Sequence, residues 1–296
     1  MWRDWLLRAA QVIGSLLGAL LLASLLATLL QPTHGFWPFI SAFFVKFMAA
    51  LGGDLGRSAV TGAPAMAIAV SAFPATLQLL GAGAAIALAI GIPLGVFLSA
   101  SRTLRAAAPL MQVIAATPVF VAALMLIWIA VRVLHWTGAS QTSALSWTGV
   151  VRSGDWSAAL HAFALPALTV GAAGAASVQL SLRRAAARVW SAPYRRGLRM
   201  MGLGALDIDL RYATPEIVAA MLRDVGEIAL ALISATAVAE WVFDRDGAAV
   251  LFLKSAALGD WTVTIAILFL FAVMKLVAEF LGLAASWFVA PDEGET

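Results

Sequence analysis

The chain has 296 residues, of which 62% are hydrophobic and only 12% charged. A soluble domain carries about 25% charged residues to keep its surface in water, so this composition excludes a soluble fold and leaves the bilayer as solvent. The absence of cysteine excludes disulfides, thiolate nucleophiles and cysteine metal sites. The small basic excess of +3 lies in arginines beside apolar runs, a signature of membrane topology and not of nucleic-acid binding.

Crossing about 30 Å of hydrocarbon takes roughly 20 apolar residues. Residues 9–30 are uncharged and form the first predicted span. Arg3 and Arg8 precede it as they would a signal peptide, but the run is too long for one and ends in no small-residue cleavage site. Residues 36–73 are apolar yet broken by Pro38, Lys46, Asp54, Arg57 and Pro64, which predicts short interfacial helices rather than a crossing. The second span is placed at 75–100, with Pro74 at a helix start where its missing N–H is harmless. The third covers 106–131 with a bend at Pro118, and the fourth covers 161–182 with Pro166 in its first turns. The fifth and sixth run over 217–242 and 261–288. Gly14 with Gly18, and Gly91 with Gly95, have the four-residue spacing that permits close helix packing. His34, His135 and His161 stand apart, without the spacing of metal ligands.

Charge sets the orientation. Arg3, Arg8, Arg102, Arg105 and eight arginines between Arg183 and Arg223 fall on one side of the proposed spans. Lys46, Arg57, Arg132, Arg152, Arg245 and Lys254 fall on the other. Twelve against six places both termini and the 183–216 loop in the cytoplasm. An even number of crossings agrees with that.

The 183–216 loop is long, basic and interspersed with Leu, Met and Ile. It reads as a short amphipathic helix broken at Gly202 and Gly204, able to present a handle to a soluble partner. Its arginines can equally serve only to fix topology and bind anionic head groups. Arg223, Asp224 and Glu227 are ionisable groups within the fifth span. Such groups usually face a bundle interior or water. Arg223 with Glu227, and Lys275 with Glu279, are spaced to pair along one helix face. They read either as a polar gate or a contact with a second subunit, or as two local ion pairs at the cytoplasmic interface.

The loop resembles that of the permeases of binding-protein-dependent ABC importers, which carry E-A-A-x3-G-x9-I-x-L-P. With the glycine set at Gly202, the proline falls on Pro215. The wider sequence is similar to the peptide/nickel permease family, to which the dipeptide and oligopeptide permeases belong. Its "GDLGRS…TG.P" corresponds to Gly53-Asp54-Leu55-Gly56-Arg57-Ser58 followed by Thr61-Gly62-Ala63-Pro64. "PATL.L…GIPLG" corresponds to Pro74-Ala-Thr-Leu-Gln-Leu79 and Gly91-Ile-Pro-Leu-Gly95, and "LPALTLG" to Leu165-Pro-Ala-Leu-Thr-Val-Gly171. "YVRTARAKGL" is similar to Tyr194-Arg-Arg-Gly-Leu-Arg-Met-Met-Gly202-Leu203, and "ETVF" to Glu240-Trp-Val-Phe243.

The chain departs from the family in three places. It has Arg196-Gly197-Leu198 for Glu-Ala-Ala, no "LAPGDP" after the first span, and Asp244-Arg-Asp-Gly247 where a glycine-rich stretch is usual.

The resemblance implies an all-α integral membrane protein with six transmembrane helices and the type I importer permease fold. It implies a coupling helix between spans 4 and 5, with Tyr194, Arg195, Arg199, Met200, Met201, Gly202, Leu203 and Pro215 facing an ATPase. Glu240, matching the acid of "ETVF", would lie near the outer end of the pathway. The expected partners are a second homologous permease, two ABC ATPase subunits and a periplasmic substrate-binding protein, all at the bacterial inner membrane. No Gly-Lys dipeptide occurs, so the phosphate-binding loop G-x-x-x-x-G-K-[ST] is absent. ATP and Mg would therefore bind the partner ATPases, and this chain is expected to hold no cofactor and to catalyse nothing. The implied substrates are peptides, then nickel or its chelates. A secondary transporter driven by an ion gradient through Glu227, Lys275 and Glu279 is the alternative, and a membrane-bound enzyme is a remote one.

Overall fold

The computed structural model describes residues 2–30, 36–100, 117–133 and 156–289, which are helical apart from short connections. Helix α1 spans Trp2–Leu29 and α2 spans Phe36–Leu51. In α1, Ser24 and Thr28 are buried, and their hydroxyls donate to the carbonyls of Leu20 (2.8 Å) and Ser24 (2.7 Å). Each polar group is thus satisfied within its own helix. At 16 residues α2 is about 24 Å long, short of a bilayer's core, as its interrupted pattern predicts.

Helix α3 spans Ala65–Ala100 and passes through both Pro74 and Pro93. The expected start at residue 75 is therefore ten residues late. Proline removes one helical hydrogen bond, but spanning helices tolerate this where neighbours pack around the freed backbone. Here Ala65 and Ala69 are fully buried in a cluster with Ala248, Val263, Ala266 and Ile267. That packing holds the turns before Pro74 in the helix.

Helix α4, Val119–Arg132, begins directly after Pro118, which stands at its N-cap. Residues 106–116 of the predicted third span lie outside the described residues. Helix α5, Trp156–Ser191, runs nine residues past the predicted end at 182. Arginine is a good helix former, and Ala185, Ala186 and Val189 are buried, so Arg183 and Arg184 continue the helix instead of ending it. Two short helices follow, α6 (Tyr194–Met200) and α7 (Ala205–Ile208), then a π-helical turn, Asp209–Ala213. The predicted fifth span is divided into α8, Thr214–Arg223, and α9, Val225–Val242, by a break at Asp224. A helix with no counterpart among the predicted spans, α10, covers Ala248–Ala257, and α11 covers Trp261–Val289.

Among the described residues, four helical stretches are apolar and long enough to cross a membrane: Ala65–Leu98, Phe163–Ser191, Val225–Val242 and Trp261–Val289. Ile13–Leu29 and Val119–Arg132 are apolar but shorter.

Helices α3 and α5 run side by side in the same direction, keyed by glycines. A Cβ on Gly91 would lie 2.8 Å from the Val178 Cβ and 2.9 Å from the Ala175 carbonyl oxygen. One on Gly95 would lie 3.2 Å from the Gln179 Cα. Gly174 of α5 leaves room for Ala87 on one side and for Leu232 of α9 on the other. Leu79, Val170, Val178, Ala235 and Ala239 complete this core. At the other end of α9, Gly282 of α11 abuts the Leu222 carbonyl and Val225.

Candidate functional site: the segment between α5 and α8

The backbone dictates the shape of this segment. Gly202 has a φ of +86°, in the left-handed region that favours glycine. It terminates α6 by letting the Leu203 N–H turn back to the Leu198 carbonyl (3.2 Å), while its own N–H donates to Arg199 (3.0 Å). Gly204, extended, precedes α7. The π turn that follows accommodates one residue too many for an α-helix. There the Thr214 hydroxyl donates to the Asp209 carbonyl at 2.8 Å.

Two side-chain ties pin the segment to its own ends. The Tyr194 hydroxyl donates to Glu216 Oε2 at 2.7 Å, joining α6 to α8. Burial, then the hydrogen bond and the negative charge of Glu216, push the Tyr194 phenol up to about 12. Arg195 donates through Nη2 to Asp209 Oδ1, joining α6 to the π turn. Between these ties the apolar side chains point away from the protein: Met200 is 83% exposed, Met201 78% and Leu206 77%. Arg199 is exposed, Leu203 and Pro215 are half-buried, and Ile208 is the buried anchor beneath. Flexible apolar groups held outward on a pinned backbone form a surface suited to a partner's groove.

Arg223, Asp224 and Glu227 lie together at the junction of α8 and α9, where the Glu227 N–H donates to the Asp224 carbonyl at 3.0 Å. Asp224 sits at the helix break and accepts a hydrogen bond from the Ser181 hydroxyl at 2.7 Å. The break disrupts the single face that would carry Arg223 and Glu227 together, and Glu227 lies instead 4.0 Å from Arg184 Nη1, both side chains exposed. Lys275 and Glu279 do pair along α11. Glu240 lies at the opposite end of α9.

Glu240 is 1% exposed. Its Oε2 accepts the Ala249 N–H at 2.9 Å, at the start of α10, while Ala248 N–H donates to Thr76 Oγ1 at 2.8 Å. Gly247 rests directly on the carboxyl, where any Cβ would collide. Arg245 is buried beside it, with its guanidinium 4.9 Å from the centre of the Phe163 ring. The single glycine in Asp244-Arg-Asp-Gly247 thus stands where contact with the acid requires it.

Sequence reasoning passed over Thr76 and Arg245, and also Asp260. Asp260 is buried ahead of α11 and accepts hydrogen bonds from the Ser58 hydroxyl and from the N–H groups of Ala59 (3.3 Å) and Val263 (3.4 Å). Its place just before the apolar run from Trp261 was the available signal, since an acid there caps a helix. This contact explains the Gly53–Ser58 stretch: Gly56, at φ +99°, brings the loop onto Thr262, and Ser58 latches it. Among the described residues no cluster of His, Cys, Asp or Glu could hold a metal ion.

A family model described as "binding-protein-dependent transport system inner membrane component" matches residues 87–286, more than half of the chain. No curated protein matches it.

Proposed function

The chain belongs to the family of inner-membrane components of binding-protein-dependent transport systems, and from this premise we propose that it forms half of the translocation pathway of an ATP-driven importer. It is a multi-pass membrane protein and a transport component of an ABC importer. In the proposed assembly it pairs with a second, related permease, with two ATPase subunits that carry ATP and Mg, and with a periplasmic binding protein that delivers the substrate. In this reading the spans number six, the first over 9–30 and the third over 106–131 completing the four long apolar stretches, and the arginine asymmetry favours a cytoplasmic location for both termini and the 183–216 loop. Peptides are the proposed substrate, by resemblance of the motifs around Gly53, Pro74 and Glu240, with nickel or its chelates second.

One observation carries this reading: a pinned segment holds Met200, Met201 and Leu206 outward between α5 and α8. In the proposed mechanism, ATP-driven closure of the ATPase pair moves this segment, and the motion passes into the spans.

Gly202→Asp and Arg199→Glu test it. Neither alters a span, so membrane abundance is expected to match wild type while recovery of the ATPase in a pull-down falls. Undiminished recovery and transport would reduce the loop to a topology signal.

A further inference from the structure

At the end of the bundle remote from the 183–216 loop, the last turns of α1, helix α2, the 52–64 loop and the first turns of α11 enclose a cavity of about 200 Å³. Ala27, Ala49 and Ile265 contribute apolar wall, and Lys46, Arg57 and Asp54 contribute charge. A water takes up about 30 Å³, so the space holds about six such groups, enough for a phosphodiester and its adjoining carbons.

The charged groups are not equivalent. The Lys46 amine donates to the Ala27 carbonyl at 2.6 Å, which fixes the cation against the cavity wall. Arg57 donates through Nη1 to the Gly62 carbonyl at 3.1 Å, a bond that uses one of the five N–H donors of a guanidinium. Asp54 turns its Oδ1 to the Gly56 N–H at 2.8 Å and so serves its own loop. Among the described lining residues, two cations stand against one carboxylate that serves its own loop, a balance that favours an anionic group.

Helix α2, which lines the cavity, also carries Trp37, 77% exposed. Exposed tryptophans collect at the level of lipid head groups. A charged cleft with apolar walls on such a helix matches an amphiphile. A free anion would leave the walls bare.

We propose that this cavity binds one phospholipid from the leaflet opposite the 183–216 loop, with Lys46 and Arg57 on the phosphate and the apolar walls against the first acyl carbons. The lipid joins α1 and α2 to α11 and acts as a structural part of that end of the bundle. The inference needs only that the chain spans a membrane, and it stands whether or not the importer assignment does.

The full chain, purified in detergent and stripped of lipid, would be titrated with phosphatidylglycerol and followed by native mass spectrometry. One lipid per chain should bind saturably, while diacylglycerol with the same acyl chains should not be retained. Each basic residue near a lipid phosphate contributes on the order of fivefold in affinity, so K46Q/R57Q should weaken binding roughly thirtyfold. Lys254→Gln, at a residue that faces Asp246 outside the cavity, should bind as wild type does. Should the double variant not fold, Ala49→Phe keeps both charges and fills the space, and it too should lose the lipid.

Equal affinity in wild type and in either cavity variant would overturn the proposal. Displacement of the lipid by an equal concentration of inorganic phosphate would overturn it in favour of a soluble-anion site.

Discussion

At Gly202 no atom lies within 4 Å of where a Cβ would stand, so the glycine is required by its backbone angle and not by crowding. Alanine there would cost about 1–2 kcal/mol of local strain, and it serves as the control for the charge that Gly202→Asp adds to an exposed surface. Tyr194 makes a second prediction through its proton. Its phenol is pushed from the usual 10.0 up to about 12, so the folded chain keeps a proton that the unfolded chain has released. The stabilisation from the Tyr194–Glu216 bond is therefore complete below pH 10 and is lost as the pH rises through about 12. An ultraviolet titration should show a tyrosine ionising near pH 12, absent in Tyr194→Phe; an unchanged curve in that variant would refute the assignment. The turn at Gly202 was legible in the residues, but the Tyr194–Glu216 tie was not, because Glu216 lies 22 positions away and only the fold brings it to Tyr194.

The helices reward a comparison of the two glycine pairs that look alike in the sequence. Gly91 and Gly95 are sealed against α5, whereas Gly14 and Gly18 of α1 have nothing within 4 Å. Spacing announces that a close approach is possible, and only the partner helix decides whether it happens. Gly91→Val is accordingly expected to overpack the α3–α5 seam and destabilise the chain by about 1–3 kcal/mol. Gly14→Val should leave thermal unfolding of the solubilised chain unchanged. Equal effects of the two substitutions would contradict the packing described. The apolar runs were readable because hydropathy is additive along the chain, and α11 falls within a residue of its predicted bounds. The break at Asp224 and helix α10 were not. Both depend on single polar contacts from elsewhere, Ser181 to Asp224 and Glu240 to Ala249, that leave no periodic trace.

For the molecule as a whole, the arginine asymmetry predicts that reporter fusions after residue 289 and within 183–216 report a cytoplasmic location. Labelling of the 183–216 loop from outside intact cells would refute it. The family match covers residues 87–286 and so leaves α1 and α2 outside it, the same region where "LAPGDP" is missing and where the lipid cavity lies. Helix α5 carries one more consequence. At 36 residues it is about 54 Å long, against about 30 Å of hydrocarbon, and its end joins the Tyr194–Ala213 segment with only two residues between. The segment therefore hangs from a stiff rod and not from a tether. In the proposed coupling, a push on it passes into the rod instead of being absorbed as slack, and the glycine seam hands the motion on to α3. Compliance inserted into the rod should separate the two tasks of holding a partner and hearing it. Ala187 and Arg188 are exposed on α5, and glycine at each would soften the helix by about 1 kcal/mol. In A187G/R188G the ATPase should still be recovered, and ATP should still be hydrolysed, while less substrate crosses for each ATP consumed; an unchanged ratio would show that stiffness there is immaterial.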